Sequence, residues 1–356
     1  MQLEFNLTYF IIFSLISFFI TFLITKYAKI LFGGSLLDKD FLKPQAFHNK
    51  PTARIGGFGI LLLFALFIVF YFFTSGVLLK DYLVIALFLF FLGFLDDLKI
   101  KINPNIRLFL MLIILLLCIS IFSIQINRSG LDFLDFWLEN NIFQVCFVLL
   151  CFLFIINGAN LVDGFNGLLG IHFVLINSIF LLINLINQNE SMSIILFSQI
   201  IIVLSFLLFN FPKAKIFLGD SGSYLLGTLL VLNTIKTHEL NTSISPFFFA
   251  GVLFYLFYEV FFSFFRKVIL RISPLKPDGR HLHMLLYNWL INSKKIKKPN
   301  YLTSLLINLI YFSLQVPLFY FQTDGLFSRY WFFLLIGLYT VIYFRLYSFS
   351  KKQIDI

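Results

Sequence analysis

Long apolar runs recur along nearly the whole 356-residue chain, each closed by a short polar gap. They cover 9–25, 57–73, 82–95, 108–126, 142–156, 165–184, 194–209, 222–235, 246–265, 301–321 and 330–347. Crossing the hydrocarbon of a bilayer takes roughly 20 apolar residues of helix. A membrane barrel would instead show segments of about ten residues with alternating polarity. The pattern therefore predicts an all-α fold, a polytopic integral membrane protein with about 11 transmembrane helices. Composition agrees: 60% hydrophobic residues, 52 phenylalanines and a mean hydropathy of +0.94 exceed what a soluble core could bury.

The first run is preceded by Glu4 and followed by Lys26 and Lys29, with no small-residue cleavage site, so it reads as a retained helix and not a signal peptide. Cys118, Cys146 and Cys151 lie inside apolar runs without metal-ligand spacing and read as packed small hydrophobes. There is no internal repeat or linker, so residues 1–356 are expected to form one transmembrane domain.

Charge sets the orientation. With the N-terminus outside, all of the 27 basic residues except Lys80, Arg128, Lys236 and Arg329 fall in inner segments, a strong positive-inside bias. The N-terminus is thus predicted periplasmic and the C-terminus cytoplasmic. The net charge of +10 is then a topology signal suited to lipid head groups and nucleotide phosphates, with no nucleic-acid partner implied. The inner loops come out as 27–56, 96–107, 157–164, 210–221 and 266–300. Asp96, Asp97, Asp163, Asp220, His281 and His283 all land inside, although only Lys and Arg chose the topology. Asp132, Asp135 and Glu139 fall outside and read as solvated loop charges.

Each inner island has its own chemistry. In FLGFLDDLK (91–99) adjacent carboxylates end an apolar helix against its macrodipole, and such a pair can hold Mg2+ or accept a proton. In NGANLVDGFNG (157–167) glycines let backbone approach a ligand, although helix caps in a tight turn explain part of the run. In NFPKAKIFLGDSGS (210–223), Asp220 precedes a helix; it could cap that helix or offer oxygen to Mg2+ beside amides that suit a phosphate. In KPDGRHLHM (276–284) two histidines beside Arg280 lack further zinc ligands, and phosphate contact suits the basic setting better. Glu259, inside the ninth run, has Arg266 on the same helix face as a candidate ion-pair partner.

These residues resemble the polyprenyl-phosphate N-acetylhexosamine-1-phosphate transferases, a glycosyltransferase family 4 group. The likeness lies in five motifs in order: 48–57 (HNKPTARIGG), 93–97, 157–167, 217–222 and the His281–His283 loop. The resemblance implies transfer of a sugar 1-phosphate from a UDP-sugar to undecaprenyl phosphate, with Mg2+ or Mn2+ as cofactor and UMP as product, at the cytoplasmic face of a bacterial inner membrane. It implies Asp96 as the base toward the lipid phosphate with Asp97 beside it, Asp220 as metal ligand with Asp97 and Asp163 near it, and His281 and His283 over the pyrophosphate. It implies Asn160 and Asn210 near the nucleotide, and Lys50, Arg54 and Arg280 as phosphate or substrate contacts. A homodimer is compatible with all of this. Both direct attack and an aspartyl-phosphate intermediate satisfy the layout.

Two departures narrow the branch. Asn166 stands where many relatives carry an aspartate, and Met284 where the O-antigen branch has a third histidine; the consecutive histidines of the peptidoglycan branch are absent. Asn166 speaks against a metal role at its position, while the Met284 replacement and the absent histidine run favour an O-antigen or exopolysaccharide initiator over a phospho-N-acetylmuramoyl-pentapeptide transferase, with N-acetylglucosamine or a deoxy-amino sugar as the transferred group. The rival from another class, a transporter or flippase, calls for midplane sites and repeated halves. A noncatalytic scaffold does not call for acids beside glycine turns.

Overall fold

The computed structural model describes residues 7–39, 51–100, 102–274, 278–294, 296 and 299–354. The helices are α1 Leu7–Tyr27, α2 Gly56–Ser75, α3 Lys80–Asp97, α4 Pro104–Phe122, α5 Asp132–Leu138, α6 Asn141–Val162 and α7 Leu168–Ile186. They continue as α8 Glu190–Asn210, α9 Gly219–Leu240, α10 Pro246–Val252, α11 Phe254–Ile269, α12 Leu282–Lys294, α13 Asn300–Tyr320 and α14 Gly325–Ile354. Local chemistry sets several starts. Asn103 caps α4 by accepting from Asn105 N, with Pro104 in the first turn, and Ser245 caps α10 ahead of Pro246 in the same way.

Every apolar run of the sequence falls on a helix, with one break. The run 246–265 divides at Leu253 into α10 and α11, which bend by 71°. Among the described residues, eight helices are long and apolar enough to cross a membrane, or nine with the bent pair taken as one span. The protein is a multi-pass membrane protein. α3 and α9 fall short for physical reasons: α3 carries Lys80, Asp81, Asp96 and Asp97 at its ends, and α9 is the buried centre. α9 packs on α2, α3, α6, α7 and α8, so its neighbours and not lipid solvate its polar residues. Near its middle, Asn233 accepts from Tyr82 Oη (2.9 Å) and donates to Gln199 Oε1 (2.7 Å) and Asn177 Oδ1 (3.0 Å). Such fully bonded polar seams fix helix register where apolar packing alone would allow sliding.

Two features depart from the sequence reading. A small sheet interrupts the all-α pattern: β1 Leu37–Asp38 pairs antiparallel with β2 Thr52–Arg54, which pairs parallel with β3 Ile216–Phe217. Its register sets Arg54 opposite Phe217, three residues before Asp220. Cys146 is exposed on the outside of the bundle and not packed, whereas Cys118 is buried.

Candidate active site

The C-terminal ends of α3, α6 and α8 meet the N-terminal ends of α2, α4 and α9 at one end of the bundle. The approach is close: a Cβ on Gly57 of α2 would stand 2.4 Å from Gly222 N of α9. Gly219 opens α9 with φ +82°, and a side chain there would press on the Asp97 carboxylate at 2.6 Å.

Asp97, expected to hold metal or accept a proton, has both oxygens engaged elsewhere. Oδ1 accepts from Asp220 N (3.0 Å), and Oδ2 accepts from Ser221 N (2.9 Å) and Ser221 Oγ (2.6 Å). It therefore caps α9 from α3, which also accounts for an acid placed against the macrodipole of its own helix. Asp220 does not cap α9 with its side chain, so its carboxylate points outward into a row of charges. Arg54 Nη1 lies 3.6 Å from Asp220 Oδ1 and 3.9 Å from Asp97 Oδ1, while Arg54 grips Asp38 through Nε and Nη2 (3.0 and 2.8 Å). Arg107 Nη1 pairs with Asp96 and lies 3.5 Å from Asp220 Oδ2. Burial alone would depress the Arg54 guanidinium; Asp220, Asp38 and Asp97 more than offset it and hold the group above its ordinary value.

Asp163 follows α6 and is half-buried. Burial pushes its carboxyl up to about 7, with Asp220 and Asp97 adding to the shift and Arg54 opposing it. Its carboxylate has no hydrogen-bond or ion-pair partner among the described residues. No three His, Cys, Asp or Glu side chains form a metal cage among the described residues. A hard cation bound through one or two carboxylates and the phosphates of a substrate needs no such cage. Asp163 and Asp220, oxygen donors in a cluster where carboxylates outnumber guanidiniums, suit that kind of ion.

The other expected residues divide. Asn160 Oδ1 accepts from Ser223 Oγ (2.9 Å), at the edge of the cluster. Asn210 is buried and staples two loops, donating to Ile216 O (2.9 Å) and accepting from Gly167 N (2.6 Å). Asn166 donates from its side chain to Pro212 O (3.0 Å) and from its backbone N to Asn300 Oδ1 (2.9 Å). His283 is wholly buried against the Asp163–Gly164 turn: a Cβ on Gly164 would stand 2.9 Å from its Nε2. His281 stacks on it. Arg280 is exposed, its guanidinium over the Tyr347 ring at 5.9 Å, and does not join the cluster. Lys50 lies outside the described residues. Glu259 does not pair with Arg266; it accepts from His281 and Tyr339, while Arg266 pairs with Asp278. Sequence reasoning passed over Asp38, Arg107, Ser221 and Ser223. In the sequence Arg107 counts only as a topology charge, and its place at the end of the inner loop 96–107, in the first turn of α4, is the one available signal.

The family model for glycosyl transferase family 4 matches residues 79–238. Over 296 residues the chain is 30% identical to a phospho-N-acetylmuramoyl-pentapeptide-transferase of Dictyoglomus turgidum, covering 78% of this chain and 89% of that one. The chain belongs to glycosyl transferase family 4. Another member, an undecaprenyl-phosphate alpha-N-acetylglucosaminyl 1-phosphate transferase of Thermotoga maritima, is 29% identical over 334 residues, 93% of this chain and 94% of the relative. A phospho-N-acetylmuramoyl-pentapeptide-transferase of Streptococcus gordonii is 33% identical over 225 residues, 60% and 68% of the two chains. The span matched by the family model holds Asp96, Asp97, Arg107, Asn160, Asp163, Asn210 and Asp220. Arg54 and the histidine loop of this family 4 transferase lie outside that span and reach the cluster through the β2–β3 pairing and the Gly164 contact.

Proposed function

We propose that this transferase moves an N-acetylamino-sugar 1-phosphate from a UDP-sugar to undecaprenyl phosphate, releasing UMP, at the cytoplasmic face of a bacterial inner membrane with its N-terminus outside. The observation that carries the reading is the row Asp38, Arg54, Asp220, Arg107, Asp96 beside the unpartnered Asp163, all at one end of a membrane bundle. Two phosphorylated substrates repel each other, and guanidiniums interleaved with carboxylates can take up their phosphates without leaving bare positive charge when they depart.

Asp163 and Asp220 would hold Mg2+, for which their oxygen chemistry is suited. When bound, that ion would neutralise phosphate charge and make the β-phosphorus easier to attack. Arg54 and Arg107 bind and orient phosphate oxygens. Asp96, paired with Arg107, accepts the proton or hydrogen bond of the lipid phosphate. An oxygen of that phosphate forms a bond to the β-phosphorus as the bond from the β-phosphorus to the bridging oxygen breaks, and UMP leaves. Asp97 touches neither substrate and holds Asp220 in place through the α9 cap.

N-acetylglucosamine is the proposed sugar, on the match that runs along nearly the whole chain, and O-antigen or exopolysaccharide initiation the proposed role. The histidine loop carries His281 and His283 with no run of consecutive histidines, which supports this branch over the peptidoglycan one. The test is UMP release from a panel of UDP-sugars by purified protein with undecaprenyl phosphate and Mg2+. Release with UDP-N-acetylglucosamine that Asp220→Ala nearly abolishes is the expected result. No release with any donor, from protein shown to be folded, contradicts the reading.

A further inference from the structure

Glu259 is a 1% exposed carboxylate on a membrane helix, costly unless it is fully bonded. Its two oxygens go to two different elements: Oε1 to His281 Nδ1 (2.8 Å) and Oε2 to Tyr339 Oη of α14 (2.7 Å). The loop before α12 is pinned at two more points. Tyr343 of α14 donates to Arg280 O (3.0 Å), and Arg266 forks onto Asp278 (2.7 and 3.3 Å). His281 sits between the two acids, with Nε2 3.4 Å from Asp278 Oδ1. Its ring lies flat against His283, centroids 5.6 Å apart and planes 4° from parallel.

His283 is where this chain of contacts ends. The ring is fully buried, yet neither nitrogen has a hydrogen-bond partner among the described residues. A purely structural buried imidazole is normally bonded. Instead the ring is wedged by the edge of Phe165 (5.6 Å, 84°) and by His281 against the turn that carries Asp163.

We propose that Glu259 is a positioning residue for the transfer: it fixes the ring of His281, and through the stack sets His283 at the Asp163–Gly164 turn, with Tyr339 as the second anchor of the carboxylate. The assignment rests on the transfer reaction proposed above. Glu259 touches no substrate. It acts through the histidine loop, which faces the side of the cluster formed by Asp163, so its loss falls on the UDP-sugar and spares the lipid phosphate beside Asp96. Donation of Nδ1–H to the carboxylate also orients the His281 ring.

The test is steady-state UMP release by the full chain, using the UDP-sugar the wild type uses best. Glu259→Gln and Tyr339→Phe are each expected to lower kcat/KM for the UDP-sugar roughly 10- to 100-fold, the range for losing a bond to an outer positioning partner. The KM for undecaprenyl phosphate is expected to stay within about twofold, as for an untouched site. On a His281→Asn background, Glu259→Gln is expected to cost nothing further, because the ring it positions is gone. Unchanged kinetics in both variants overturns the proposal, as does a fully additive loss in the double variant. Equal increases in both KM values with a lowered melting temperature also overturn it, since that is packing and not positioning. If Glu259→Gln fails to fold, Tyr339→Phe, which removes one oxygen, decides by the same criteria. Absence of UMP release by the wild type with every donor overturns the underlying reaction and this assignment with it; active wild type with unaffected variants overturns the assignment alone.

Discussion

Asp97 of α3 and Ser221 of α9 are joined by two hydrogen bonds to one carboxylate oxygen, from Ser221 N at 2.9 Å and Ser221 Oγ at 2.6 Å. One helix thus ends by capping the start of another, and the residue between Gly219 and Ser221 is Asp220. A part-exposed acid in the charged row is held in place by a buried one.

That relationship separates the two members of the Asp96–Asp97 pair. Asp97→Ala leaves the first amides of α9 without a cap and is expected to cost about 1–3 kcal/mol of stability, the range for leaving buried donors unsatisfied. Ser221→Ala removes one bond and is expected to cost about 1 kcal/mol. Asp96→Ala, on a partly exposed pair, is expected to leave the melting temperature within about a degree or two of wild type while abolishing turnover. Thermal unfolding in detergent beside an activity assay checks all three; equal melting temperatures for Asp97→Ala and Asp96→Ala would remove the distinction.

Arg54 and Arg107 each touch Asp220, yet each has a different second carboxylate, Asp38 and Asp96. Lysine keeps the charge but not the fork. Arg54→Lys and Arg107→Lys are each expected to lower kcat/KM by roughly 10- to 100-fold, the loss of one or two charge-assisted hydrogen bonds. Arg107→Lys should act on undecaprenyl phosphate through Asp96. Initial rates with each substrate varied in turn check this, and lysine variants with wild-type kinetics would show that charge alone suffices.

His283 gives a pH dependence of known sign. Burial holds its imidazole at about 3, with His281 adding to the shift and Glu259 opposing it, against an ordinary value of 6.5. The native state therefore keeps it neutral, so its stability is full above pH 6.5 and is lost progressively as pH falls toward 3. By pH 5 the loss is on the order of 2 kcal/mol. Melting temperature measured from pH 7.5 to 5 should fall for the wild type and fall less for His283→Gln; parallel slopes would count against a buried neutral ring.

The spans were readable because lipid-facing helices must be apolar over their whole length, and the site residues because ionisable groups are expensive at a membrane boundary. What could not be read was pairing at a distance. Arg54 finds Asp38 across 16 residues, Asp97 finds Ser221 across 124, and Glu259 finds Tyr339 across 80. Arg266 was the nearer partner for Glu259 on the helix face, but Asp278 takes it once the loop folds back. The three-stranded ribbon is likewise too short, at two or three residues per strand, to leave a pattern. The break at Leu253 follows Gly251 by two residues, but a lone glycine inside an apolar run is compatible with an unbroken helix and does not announce a bend.

In the proposed transfer, phosphorus moves with the sugar. A UDP-N-acetylglucosamine labelled in the β-phosphate, incubated with the purified protein, Mg2+ and undecaprenyl phosphate, tests it most directly. The expected result is label in the lipid fraction in equal amount to the UMP released, and none with Asp220→Ala. Sugar reaching the lipid while the labelled phosphate stays in soluble UDP, or no label in lipid from folded, donor-binding protein, would contradict it.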